Sequence, residues 1–167
     1  MKSAEEILEY LSARFPETEF EALQGDVGPM RIKVPASVIK DAAKFLRDDD
    51  QLQFNTLMCL SGLHYPKENE LGVAYNLHST CLGHSLAINV RVSEEQPDVP
   101  SVEQIWKTAG WHEREAYDMV GVRFTEHPDL RRILCPYDWE GHPLRKDYVQ
   151  QAFYRGVTTK ENGSEVL

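Results

Sequence analysis

Apolar positions along the chain recur first at helical and then at strand spacing. Ile7, Leu8, Leu11 and Phe15 share one helical face. Ser3 and Glu6 have capping-box spacing at its start, and Pro16 stops it. Phe20 to Leu23 reads as a strand, and Met30-Arg31-Ile32-Lys33-Val34 alternates as a second. Gly25-Asp26 and Gly28-Pro29 mark the turn between them. A second helix runs from Ala36 to about Arg47, with Val38, Ile39, Ala42, Ala43, Phe45 and Leu46 as its buried stripe. The acidic run Asp48-Asp49-Asp50 opposes the helix dipole and ends it in solvent.

Three strands follow. Phe54 to Leu63 is apolar almost throughout and reads as a central strand. Leu71, Val73, Tyr75 and Leu77 alternate, as do Leu86, Ile88, Val90 and Val92, and the two runs form a hairpin through Thr80 to Gly83. The order α-β-β-α-β-β-β predicts a two-layer α+β domain, with a mixed sheet and helices on one face. Glu94 to Pro100 is a polar connector. Ser101 and Gln104 suggest a capped short helix to about Lys107, and Trp111 to Val120 a further helix closed by Gly121. Periodicity stops after Phe124. The chain therefore divides into an α+β domain, residues 1–124, and an extended tail, residues 125–167, with turns at His127-Pro128-Asp129 and Glu140-Gly141-His142-Pro143.

Charge narrows the function classes. The net charge is −9, which opposes binding to nucleic acid or to anionic lipid. Residues 1–110 carry ten Lys/Arg against seventeen Asp/Glu, a net of −7, whereas residues 111–167 carry eight against ten, a net of −2. Three cysteines, Cys59, Cys81 and Cys135, without CxxC spacing argue against a disulfide framework and against a zinc or iron–sulfur site within this chain. The acidic N-terminus is no secretory signal, and no run of apolar residues is long enough to span a bilayer.

Catalytic readings are weak. Glu113 and Glu115 are two apart on a helix and point in different directions, so they form no acid/base pair. The six histidines, His78, His84, His112, His127 and His142 among them, show no HxxxH ligand pair. Cys135 has no adjacent base, and Gly25 to Gly28 is no phosphate loop. The tail is more informative. It carries Trp139, Leu144, Tyr148, Phe153 and Tyr154 among arginines, a composition enriched in interface cores. Two routes to burial are open: folding back on the domain and covering by a partner.

The residues Glu113-Arg114-Glu115, Asp118-Met119-Val120, His127, Arg131 and Ile133-Leu134 fill a long ungapped pattern. With Gly141-His142-Pro143-Leu144-Arg145-Lys146-Asp147-Tyr148 they make residues 101–148 resemble the thirty-kilodalton subunit family of complex I, the C subunit of NADH:quinone oxidoreductase. One departure is Val149, where the family often has Pro.

The resemblance implies a cofactor-free accessory subunit of the peripheral arm with no catalytic residue of its own. FMN, iron–sulfur clusters and quinone would belong to partner subunits. The direct partner would be the quinone-site (49 kDa-type) subunit, with the iron–sulfur PSST-type and TYKY-type subunits nearby. The complex would pass electrons to quinone and couple this to proton translocation, on the cytoplasmic face of the inner membrane. An equivalent subunit of a membrane-bound hydrogenase-type complex is the alternative, and an independent soluble enzyme or binding module the remaining one. Glu113, Arg114, Glu115 and Asp118 would brace the tail's base by internal ion pairs, with Arg114 and Asp118 spaced to pair on one face. His127, Arg131, Arg132, Trp139, His142, Leu144, Arg145, Lys146, Tyr148 and Tyr154 are the candidates for docking. Among them the basic residues would meet partner carboxylates and the aromatics would serve as anchors.

Overall fold

The computed structural model describes residues 2–23 and 31–159. The expected glycine turn between the first two strands, and Met30, lie outside the described residues. Helix α1 spans Ala4–Arg14. Its capping box is formed, with the Ser3 hydroxyl accepting from the Glu6 amide and the Glu6 carboxylate accepting from the Ser3 amide at 2.7 Å. Ile7 and Leu11 are fully buried. Phe15 closes the helix and packs edge-on against Phe20 and Phe45.

Strands β1 (Glu21–Leu23) and β2 (Arg31–Lys33) lead through a 3-10 turn to α2, Ile39–Asp48. Ile39, Ala42, Ala43 and Leu46 form the buried stripe of α2, and Val38 and Phe45 pack at its margin. Strands β3 (Thr56–Tyr65), β4 (Glu70–His78) and β5 (Ser85–Ser93) complete a mixed five-stranded sheet in the order β1-β2-β5-β4-β3. Within this sheet, among the described residues, only the β2–β5 pair is parallel. Leu71, Val73, Tyr75 and Leu77 of β4 are all buried, with Leu60 opposite Tyr75 on the same face. They share one core with α1 and α2. The opposite face exposes Ser61, Asn76 and Ser85.

Two expectations need correction. Phe54 to Leu63 is not central: β3 is the outermost strand of the sheet. Its apolar character has a different source, because helix α3 (Ala109–Val120) packs on it. At Gly62 a Cβ would lie 3.0 Å from Val120 Cγ2 and 3.2 Å from Ala116 Cβ, so a side chain there would push the helix away. Residues 101–107 form turns and not a helix. The Ser101 hydroxyl accepts from the Glu103 amide and donates into α3, which leaves it no capping role. Trp106 then drops into the core, and its indole donates to Phe54 O at 2.9 Å.

The polar connector also contains a short strand, β6 (Asp98–Pro100), which pairs in parallel with β7 (Arg123–Thr125). Gly121 closes α3 in the left-handed region with φ of 93°. Beyond β7 the chain is irregular up to a small hairpin, β8 (Phe153–Tyr154) and β9 (Val157–Thr158).

Candidate docking site of the C-terminal segment

Helix α3 presents a buried, charged inner face. Glu113 is fully buried. It accepts hydrogen bonds from Ser101 Oγ at 2.6 Å and from the Val102 amide at 2.8 Å, and His127 Nε2 lies 3.8 Å away. Burial raises its pKa to about 7, although the bonds from Ser101 and Val102 pull the other way. Glu115, in contrast, is exposed.

The expected Arg114–Asp118 pair does not form. Arg114 instead donates to the carbonyls of Arg131 and Arg132 and stacks beside Trp111. Asp118 turns to the segment that follows the domain. One carboxylate oxygen accepts three successive amides, from Ile133 at 3.0 Å, Leu134 at 2.7 Å and Cys135 at 2.8 Å. The other accepts from Arg132 at 2.6 Å. Burial works against the Asp118 charge, but the Cys135 amide, Arg132 and the Leu134 and Ile133 amides outweigh it, so the pKa falls below its usual value. Arg132 also reaches the carbonyls of Trp139 and Gly141. His142 Nδ1 donates to Asp118 O at 3.0 Å, and the Leu144 amide donates to Met119 O at 2.9 Å. Gly121 serves twice here, because a Cβ would also lie 2.8 Å from the His142 ring.

A second anchor lies at the end of β3. The His64 side chain is almost fully buried. Its Nδ1 accepts from the Lys146 amide at 2.8 Å, so its Nε2 carries the proton and donates to Glu94 at 2.6 Å. Arg145 bridges Glu94 at 2.5 Å and Asp147 at 3.1 Å. His64, Glu94 and Asp147 bring possible metal-ligating atoms within 4.8 Å of one another. Both ring nitrogens are already engaged and a guanidinium occupies Glu94, so the donor set suits a latch better than a divalent cation. Sequence reading did not single out His64 or Glu94. The available signal was a lone histidine inside an otherwise neutral strand.

Two of the expected docking arginines, Arg132 and Arg145, are therefore engaged within the chain, because the buried Asp118 and the part-buried Glu94 claim them first. His127 is also inward, donating from Nε2 to Gly110 O. Arg131 is exposed beside Asp129, and Lys146 is exposed. Trp139 is half-buried and donates to Tyr148 Oη at 3.0 Å, and its ring lies 5.1 Å from that of Tyr154. Tyr154 and Arg155 both bond Asp138. Along the same segment large apolar groups are exposed: Leu134, Tyr137 at 86%, Leu144, Val149 at 86%, Phe153 at 68% and Val157.

Residues 32–154 match the family model described as the respiratory-chain NADH dehydrogenase 30 kDa subunit. The chain belongs to that family. As a member of the 30 kDa family it is part of an NADH-quinone oxidoreductase complex. It is 57% identical over 118 residues to the NADH-quinone oxidoreductase C subunit of Chlorobium phaeobacteroides, covering 70% of this chain and 71% of that one. The corresponding protein of Roseiflexus sp. is 44% identical over 145 residues, covering 84% and 81%. Among solved structures, a trypsin-resistant fragment of Nqo5 superposes with a TM-score of 0.61 at 28% identity, over 75% of this chain and 98% of that one. A chain of the archaeal membrane-bound sulfane sulfur reductase superposes with a TM-score of 0.70 at 24% identity, over 89% and 86%, which shows the fold alone. The family match includes both anchors and the aromatic platform. No helix among the described residues is long and apolar enough to cross a membrane.

Proposed function

We propose that this chain is a cofactor-free scaffold subunit of the peripheral arm. It docks on the quinone-site (49 kDa-type) subunit and supports electron transfer to quinone coupled to proton translocation. The iron–sulfur PSST-type and TYKY-type subunits would lie close by, and the flavin, clusters and quinone would be held by neighbours. The chain would reach the cytoplasmic side of the membrane only through the complex.

The observation that carries this reading is the C-terminal segment. It is pinned to the domain by Asp118 and His64, yet it leaves large apolar side chains in water. Anchoring on one side and apolar exposure on the other is what an element built to be covered requires. Glu113, Arg114 and Asp118 would serve as the internal brace, with Glu115 on its outer face. Arg131, Trp139, Leu144, Lys146, Tyr148 and Tyr154 belong to the segment that would approach the partner. His127, Arg132, His142 and Arg145 would act indirectly, by holding that segment in shape.

The test is genetic replacement. Membranes from cells lacking the chain should lose NADH:quinone reductase activity and regain it with the full-length chain, while the purified chain alone is colourless and inactive. Turnover by the isolated chain, or full reductase activity in its absence, would refute the proposal.

A further inference from the structure

Four side chains close a ring at the end of β3. His64 Nε2 donates to Glu94 at 2.6 Å, Glu94 meets Arg145 at 2.5 Å, and Arg145 meets Asp147 at 3.1 Å. Asp147 then returns to His64, with its Oδ1 3.7 Å from Nδ1. Two carboxylates face one guanidinium in this ring, so it is short of one positive charge while the imidazole is neutral. The elements packed around His64 do not supply that charge. Opposite it on β4 stands Leu71, and where α3 meets β3, at Gly62, it presents Ala116 and Val120. Lys146 offers His64 its backbone amide, and the residue itself is exposed.

The ring nitrogen that faces Asp147 has two neighbours of opposite demand. The Lys146 amide, at 2.8 Å, needs Nδ1 as an acceptor, which only the neutral imidazole provides. The Asp147 carboxylate needs Nδ1 as a donor, which only the imidazolium provides. Their separation of 3.7 Å is too long for a hydrogen bond, but Asp147 is exposed and can close it by a side-chain adjustment. The Arg145 guanidinium holds the Asp147 carboxyl below its usual range, so this acid stays charged while an imidazole titrates. An acid at each nitrogen would offset the cost of charging a ring that is almost fully buried.

We propose that the His64–Glu94–Arg145–Asp147 ring is a proton-operated clasp on the C-terminal segment. Uptake of one proton at Nδ1 releases the Lys146 amide and draws in Asp147. A backbone hydrogen bond is exchanged for an ion pair, and the ring reaches zero net charge. The segment stays attached in both states, with the grip passing from Lys146 to Asp147. The clasp belongs to this chain alone and stands whether or not the docking reading holds.

The test is heteronuclear NMR on the full-length chain, following the His64 ring nitrogens and the Lys146 amide from about pH 8 to pH 5, where imidazoles change charge. As pH falls, Nδ1 should take up its proton and the Lys146 amide should lose its hydrogen-bonded shift at the same midpoint. Asp147→Asn, at an exposed position, should move that midpoint down by roughly half a unit or more. His64→Gln should abolish the Lys146 transition. Glu113→Gln should leave it unchanged, which separates it from titration of the buried Glu113.

A Lys146 amide that is constant across this range, or that changes alike in Asp147→Asn, would overturn the proposal. So would a transition that persists in His64→Gln. If His64→Gln fails to fold, the ring-nitrogen shifts of the unaltered chain and of Asp147→Asn decide the matter. Titrations repeated in EDTA should be identical. A transition that vanishes on chelation would assign the ring to a metal ion and would also overturn the clasp.

Discussion

One oxygen of Asp118 gathers the amides of Ile133, Leu134 and Cys135, while the other holds the Arg132 guanidinium at 2.6 Å. A single buried carboxylate thus fixes where the C-terminal segment leaves the domain. Asp118→Ala leaves three amides and a guanidinium without their acceptor. Breaking a largely buried charge pair costs about 3–5 kcal/mol. The variant should melt well below the parent, and trypsin should cut faster at Arg131 and Arg132. Unchanged melting and cleavage would remove Asp118 from this role.

Glu113 supplies a pH test. Its folded pKa of about 7 stands above the usual 4.5, so the native state holds a proton that the unfolded state has released. Between those values the folded protein binds more protons, and stability must fall as pH rises. The full stabilisation is present below about pH 4.5 and is lost by about pH 7, an effect on the order of 3 kcal/mol at most. Glu113→Gln should flatten that part of the stability profile. Parallel profiles for the two proteins across this range would contradict the assignment.

Gly121→Ala combines two penalties, a left-handed backbone and a Cβ 2.8 Å from the His142 ring. Backbone strain of this kind costs about 1–3 kcal/mol, and the clash adds to it. Gly62→Ala keeps an ordinary backbone but presses on Val120 and Ala116. Urea denaturation should show both variants destabilised, with Gly121→Ala the worse. The reverse order would mean that the two glycines do not carry the constraints assigned to them.

His64→Ala removes the acceptor of the Lys146 amide and the donor to Glu94. The loss should be local, about 1–3 kcal/mol. Hydrogen exchange should speed at Lys146 while the α1 amides stay protected. Uniform acceleration would show His64 to be a core residue and not a latch.

Much of the fold was legible in the pattern. The capping box at Ser3, the alternation in β4 and β5, and Gly121 as helix terminator each rest on short-range rules. The edge position of β3 was not legible, because an apolar run looks the same whether a strand or a helix covers it. Ser101 misled because its hydroxyl serves Glu113 twelve residues on, a contact that local capping rules cannot see. Docking candidates were found as residue types, but composition could not show that Arg132 and Arg145 meet acids of their own chain. The acids Asp118 and Glu94 are distant in sequence and close only after folding.

Site-specific photo-crosslinking within the intact complex tests the central claim most directly. A photoreactive residue placed at Tyr137 or Phe153 should yield, by mass spectrometry, covalent links to the quinone-site subunit, while one placed at Asn76 on the opposite face of the sheet should not join it. Links from Tyr137 and Phe153 only to other proteins of the complex, or to none, would contradict the account.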